Sequence, residues 1–173
     1  GVRKADELGL THVLQIDSDG QHDAARVGHF VEVSKKNPDA IICAYPEYDE
    51  SAPKHRVNGR TIANAWIHTV TLSKQIKDGM IGFRIYPVAP YVKLLNSHAI
   101  IDARMGYDID ILVRLFWKNV PVICESVKVT YPVDGVSNFR LVRDNARISL
   151  TYARLFLGMI VRLPILIFRK IKG

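Results

Sequence analysis

The sequence predicts an α/β fold: a mixed, mostly parallel sheet flanked by helices, with an amphipathic helix at its C-terminal end. Three observations carry this. Helical and strand-like patterns alternate from the start of the chain to about Tyr86, the order in which parallel α/β layers wind. The first strand runs straight into an acidic turn, Asp17-Ser18-Asp19-Gly20-Gln21-His22-Asp23. From Asn138 onward the composition becomes apolar and basic, with Asp144 the only acidic residue.

Taken in order, residues 2–9 read as the end of a helix, and Thr11 to Asp17 as a strand. Asp23 is placed to cap a helix whose apolar positions include Phe30, Val31 and Val33. Asn37-Pro38-Asp39 ends it, and Ala40 to Tyr45 is a second strand. The polar stretch 46–56 is a loop. A longer helix follows from about Arg56 to Ser73, then a strand from Ile81 to Tyr86 that Pro87 stops. Helical patterns cover 88–96 and 106–118, and Pro121 to Tyr131 is a final β-branched strand. The last segment reads as a long helix bent or broken near Pro164.

A length of 173 residues suits one domain rather than two, and 48% hydrophobic with 24% charged residues argues against a disordered chain. The charge of +7 favours an anionic partner. The arginines lie among Leu and Ile rather than exposed aromatics, which argues against nucleic acid. Cys43 and Cys124 each sit in an apolar run without a Cys or His at ligand spacing, so they read as reduced, buried thiols.

The acidic turn is the sharpest feature. Side chains two apart in extended chain point the same way, so Asp17, Asp19 and Gln21 can converge on one point. Gly20 permits a tight turn beside them. Carboxylate and amide oxygens at the C-terminal end of a strand suit Mg²⁺ or Mn²⁺, which would finish its shell with substrate phosphates and water. Arg56, Arg60, Arg84 and Arg140 are candidate phosphate contacts, since the guanidinium fork matches phosphate oxygens. Arg84, within a strand, has the alternative of pairing with a structural carboxylate.

Asp17-Ser18-Asp19-Gly20-Gln21-His22 resembles the Asp-x-Asp-x-Gln-His motif of family 2 glycosyltransferases, in particular their dolichyl-phosphate mannosyltransferase-like branch. Further segments follow in the family's order. Arg56 and Arg60 come first. Asp78-Gly79-Met80-Ile81-Gly82-Phe83-Arg84 is similar to an Asp-x-x-(Ser/Cys)-Gly-Phe-Arg segment, with Ile81 replacing the small residue. Gly106-Tyr107-Asp108-Ile109-Asp110 resembles an acceptor-side acidic motif, and Asp134 to Arg140, containing Ser137, resembles a Gly-x-Ser-(Lys/Asn) segment.

The resemblance implies a Rossmann-like nucleotide-diphospho-sugar transferase fold, incomplete at its N-terminus, where the strand and acidic segment that hold the base would lie before Gly1. It implies Asp17, Asp19 and Gln21 as metal ligands and Asp110, with Asp108 second, as the base of an inverting transfer to a hydroxyl; a lipid phosphate is already anionic and needs no base, and Asp110 would then orient a cation or the acceptor. Ser137 joins the arginines at the substrate. The donor would be a UDP- or GDP-linked sugar, the acceptor a lipid or polyprenyl phosphate. Two other readings compete: a non-catalytic membrane-bound interaction module derived from a transferase, and a haloacid dehalogenase-like phosphatase. The second expects Thr or Val where Gln21 stands, and a later Gly-Asp-x-x-x-Asp that is missing.

Arg140, Arg147, Arg154, Arg162 and Arg169 recur at seven or eight residues, keeping roughly to one side of a helix. An apolar face beside such a stripe suits a helix lying in a membrane interface, and Arg162 interrupts the apolar run. A helix packed on the catalytic domain or on a partner subunit is the competing reading. The sequence thus divides into a catalytic domain, 1–137, and a membrane-interface helix, 138–173, with a peripheral place on the cytoplasmic face of the membrane.

Overall fold

The structure, a computed structural model, describes residues 1–18, 20–48, 54–129 and 140–172. In chain order the elements are α1 (Val2–Glu7), β1 (His12–Gln15), a 3-10 turn (Ala24–Arg26), α2 (Val27–Lys36), β2 (Ile41–Tyr48), α3 (Lys54–Thr71), β3 (Arg84–Pro87), α4 (Val88–Leu95), α5 (Tyr107–Trp117), β4 (Val122–Val129) and α6 (Leu141–Lys172). The carboxylate of Asp23 accepts from the Ala25 N–H at 3.0 Å and opens the turn that leads into α2, as its position suggested.

The four strands form one mixed sheet in the order β1-β3-β2-β4. β2 and β4 pair in parallel, from Ile41 opposite Val122 to Tyr48 opposite Val129. β3 is antiparallel to both β1 and β2. Three strands therefore run one way, but two of the three pairings are antiparallel, so the sheet is less parallel than the alternating pattern suggested. The cause is the connection through residues 72–83, which brings the chain back to the far end of the sheet before β3 begins. Arg84, the first residue of β3, pairs with Gln15, the last of β1. That reversal sets Gly82, Phe83 and Arg84 beside the acidic turn.

Strand alternation divides the core in two. Ile42 and Ala44 join Phe30, Phe83, Ile85 and Val127 beneath α2. Ile41 and Cys43 face the larger cluster, made with α3, α4 and α5. Phe30 stacks on Phe83 with ring centres 4.4 Å apart. Cys43 and Cys124 lie side by side across β2 and β4 as free thiols, Cys43 fully buried and Cys124 half-buried.

α6 is not a separate unit. Ile148, Tyr152, Leu155, Met159 and Leu166 belong to the larger core, against α3 and α5. It also runs through Pro164 as one helix, where a bend or a break was expected. Pro164 is exposed, so the carbonyl it leaves without an N–H partner can turn to solvent instead of ending the helix.

Candidate active site at the C-terminal edge of the sheet

β1 delivers Asp17 just past its last residue, and Gly20, at φ 73°, turns the chain back. The Asp17 carboxylate sits directly over Gly82. A β-carbon there would stand 2.1 Å from Asp17 Oδ1, so only glycine fits beneath it. His22 Nε2 lies 3.6 Å from Asp17 Oδ2, and its side chain is almost wholly buried while Asp17 is half-exposed. His22, then the Arg84 guanidinium and the Gly82 N–H, hold the Asp17 carboxyl below its usual range against the opposing effect of burial. Asp17 is therefore ionised at neutral pH and open to solvent on one side.

Gln21 is half-buried in the same turn. Asp19 lies outside the described residues. Among the described residues no group of three His, Cys, Asp or Glu side chains could hold a metal ion. A hard cation would take oxygen donors of the kind Asp17 and Gln21 carry and complete its shell from substrate and water.

The structure separates the two carboxylates of α5. Asp108 faces the acidic turn: its Oδ1 accepts from Gln15 Nε2 at 2.8 Å, and its carbonyl accepts from Arg84 Nη1 at 2.9 Å. Asp110 faces inward and is fully buried. It accepts from Arg114 Nε and, at 2.9 Å, from the Asp102 N–H. Arg114 in turn donates to the Ile100 carbonyl. Asp110 thus fastens the 100–106 loop to α5, and its carboxylate has no open path to an acceptor.

The arginines are also sorted. Arg60 pairs through Nε with Asp78 at 3.0 Å and donates to the Tyr48 hydroxyl at 3.0 Å. Asp78 is buried and accepts from the Met80 and Ile81 N–H groups, both at 2.9 Å. This pair therefore shapes the turn that places Gly82 under Asp17. A cavity of about 160 Å³ lies beside it, lined by Tyr45, Tyr48, Arg60, Asn64, Lys77 and Asp78. A larger one, about 340 Å³, lies along β1 and α2, away from the acidic turn.

Arg84 is fully buried and donates to the Tyr86 hydroxyl at 3.0 Å. Among the described residues its Nε and Nη2 find no hydrogen-bond partner, and neither does His22 Nδ1. Arg26 Nε and Arg154 Nε are in the same position. Arg140 is exposed at the head of α6, where its N–H donates to Asp144. Arg56 is in the first turn of α3, but its side chain lies outside the described residues, as does Ser137.

Sequence reasoning missed Gln15 and undervalued Asp78. Gln15 had one signal: a polar residue in an apolar strand, two before Asp17 and so on its side. Asp78 had none beyond its place in a motif. No protein-family model matches the chain, and no curated protein matches it in sequence.

Proposed function

We propose that this chain carries the reaction centre of a metal-dependent glycosyltransferase, moving sugar from a nucleotide-diphospho-sugar to a membrane-proximal acceptor. The observation that carries the reading is the meeting of two distant acidic motifs. Asp17 sits over Gly82, and Asp108 is tied to Gln15, two residues before Asp17. A cation held by Asp17, Asp19 and Gln21 would neutralise the diphosphate as it leaves. The Arg84 guanidinium, whose charge helps lower the Asp17 carboxyl, adds positive charge at the same edge. Asp108, rather than Asp110, is the carboxylate available to receive an acceptor proton. Asp110 acts through the fold.

The test is nucleotide binding by calorimetry, with UDP and GDP, with and without Mn²⁺. Metal-dependent binding that Asp17→Ala abolishes supports the reading; metal-independent binding, or none, overturns it. A second reading has one observation in its favour: Arg60 and Asp110 are both committed to internal pairs. A non-catalytic module derived from a transferase would keep those pairs and bind no nucleotide.

A further inference from the structure

α6 has two apolar faces. One is spent on the core, through Ile148, Tyr152, Leu155, Met159 and Leu166. The other points away from the protein and carries Leu150, Leu157, Val161, Ile165 and Phe168, with Leu157 64% and Val161 79% exposed. It does not stop at the edge of the helix. Trp66 of α3 is half-exposed and packs beside Tyr152 and edge-on to Phe156, with ring centres 6.1 and 6.3 Å away. Ile62, one turn earlier on α3, is 64% exposed. Two helices thus present one outward apolar surface.

The charges along its far flank say what covers it. Arg143 and Arg147 border the outward face, whereas Arg154 turns inward, donating to Thr151 at 3.3 Å and lying 4.0 Å from the Asp102 carboxylate; Asp144, the one acidic residue of α6, is buried on the inner side. Arg162 and Arg169 take another course. Arg162 lies over the Trp117 ring at 4.8 Å, and Arg169 donates to the Trp117 carbonyl at 3.0 Å, so these two fasten α6 to the end of α5. The arginines free for an outside partner therefore lie in the first half of the helix.

By length and composition alone, residues Val142–Ile171 could cross a membrane. Packing forbids it. The inner stripe from Asp144 to Leu166 covers roughly 33 Å of helix at ~1.5 Å per residue. That matches the ~30 Å hydrocarbon layer, so a spanning α6 would pull α3 and α5 into it.

We propose that the outward face of α6, extended by Ile62 and Trp66 of α3, lies flat in the interface of an anionic bilayer, with Arg143 and Arg147 among the lipid headgroups. Apolar side chains enter the acyl boundary, the indole sits at headgroup depth and the two guanidinium groups pair with lipid phosphates. This inference needs neither the metal nor the nucleotide, so it stands or falls apart from the transferase reading.

The experiment is co-sedimentation of the full chain with phosphatidylcholine vesicles, with and without phosphatidylglycerol, in the absence of metal and nucleotide. Binding should require phosphatidylglycerol and weaken with salt. The double variant Leu157→Glu, Val161→Glu changes only exposed positions and should abolish it. Arg143→Glu with Arg147→Glu should weaken it, by at least about fivefold per arginine. Trp66 fluorescence should be quenched by brominated lipid, while the buried Trp117 should not respond. Equal binding to both vesicle types, or parent-like binding by the Leu157/Val161 variant, overturns the proposal. So does a parent chain that sediments as a dimer without vesicles and becomes a monomer in that variant, which would assign the face to a second copy.

Discussion

Asp17 and Gly82 lie sixty-five positions apart in the chain and in contact in the fold. Gly82→Ala would press a methyl group into the Asp17 carboxylate, and overpacking of this kind costs about 1–3 kcal/mol. It should also cancel metal-dependent nucleotide binding, read by calorimetry beside a thermal melt. Gln15→Leu should leave metal-dependent nucleotide binding in place and lower turnover instead. Losing one hydrogen bond costs about 1 kcal/mol of stability. Asp108, released from its anchor, should then turn over poorly in a transfer assay. Asp110 behaves differently again. In Asp110→Asn the new amide meets two donors, Arg114 and the Asp102 N–H, and leaves a partly buried guanidinium without its counter-charge. Such a loss costs about 3 kcal/mol or more. Urea denaturation should show it whether or not any substrate is present. Sequence spacing put Asp108 and Asp110 forward together, because residues two apart in a first helical turn look alike in one dimension. Only the helical rotation between them sends one to the site and the other to the core.

Among the elements, β3 explains most of what the sequence concealed. Its residues read as a strand, but nothing local in Ile81 to Tyr86 states its direction. Direction depends on how the connection of residues 72–83 travels, a property of the assembled sheet. The helices were legible because their apolar spacing is local: α4 and α5 fall within one residue of their expected limits. α6 was legible in length but not in continuity, since the cost of Pro164 depends on whether its freed carbonyl can reach water. The pairing of β2 with β4 gives a further test. Burial pushes the Cys43 thiol up to about 12, and it also raises that of Cys124, which is only half-buried. Iodoacetamide should therefore label Cys124 slowly in the folded protein and Cys43 only after unfolding, as read by mass spectrometry.

On the scale of the whole molecule, α6 is held to the domain by its apolar stripe and by polar ties at both ends of it. Thr151 donates to Asp102 at 2.8 Å, and Asp102 belongs to the loop that Asp110 secures. Burial works against the charge of Asp102, but the Thr151 hydroxyl and the N–H groups of Arg104 and Ala103 outweigh it and lower its pKa. Asp17 is lowered as well. A group whose folded pKa lies below its unfolded one gives its full stabilisation above the unfolded value, here 3.8, and loses it as pH falls through the folded value. Stability should thus fall below about pH 4, and Asp102→Asn should flatten that part of the curve in urea titrations across pH. The same attachments fix an order of failure under load. A pull on the C-terminus would first strip Arg169 from the end of α5, then peel the apolar stripe turn by turn from Leu166. The tension would reach Thr151 and Asp102 last, so the loop behind Asp108 would stay in place until most of the helix had come away.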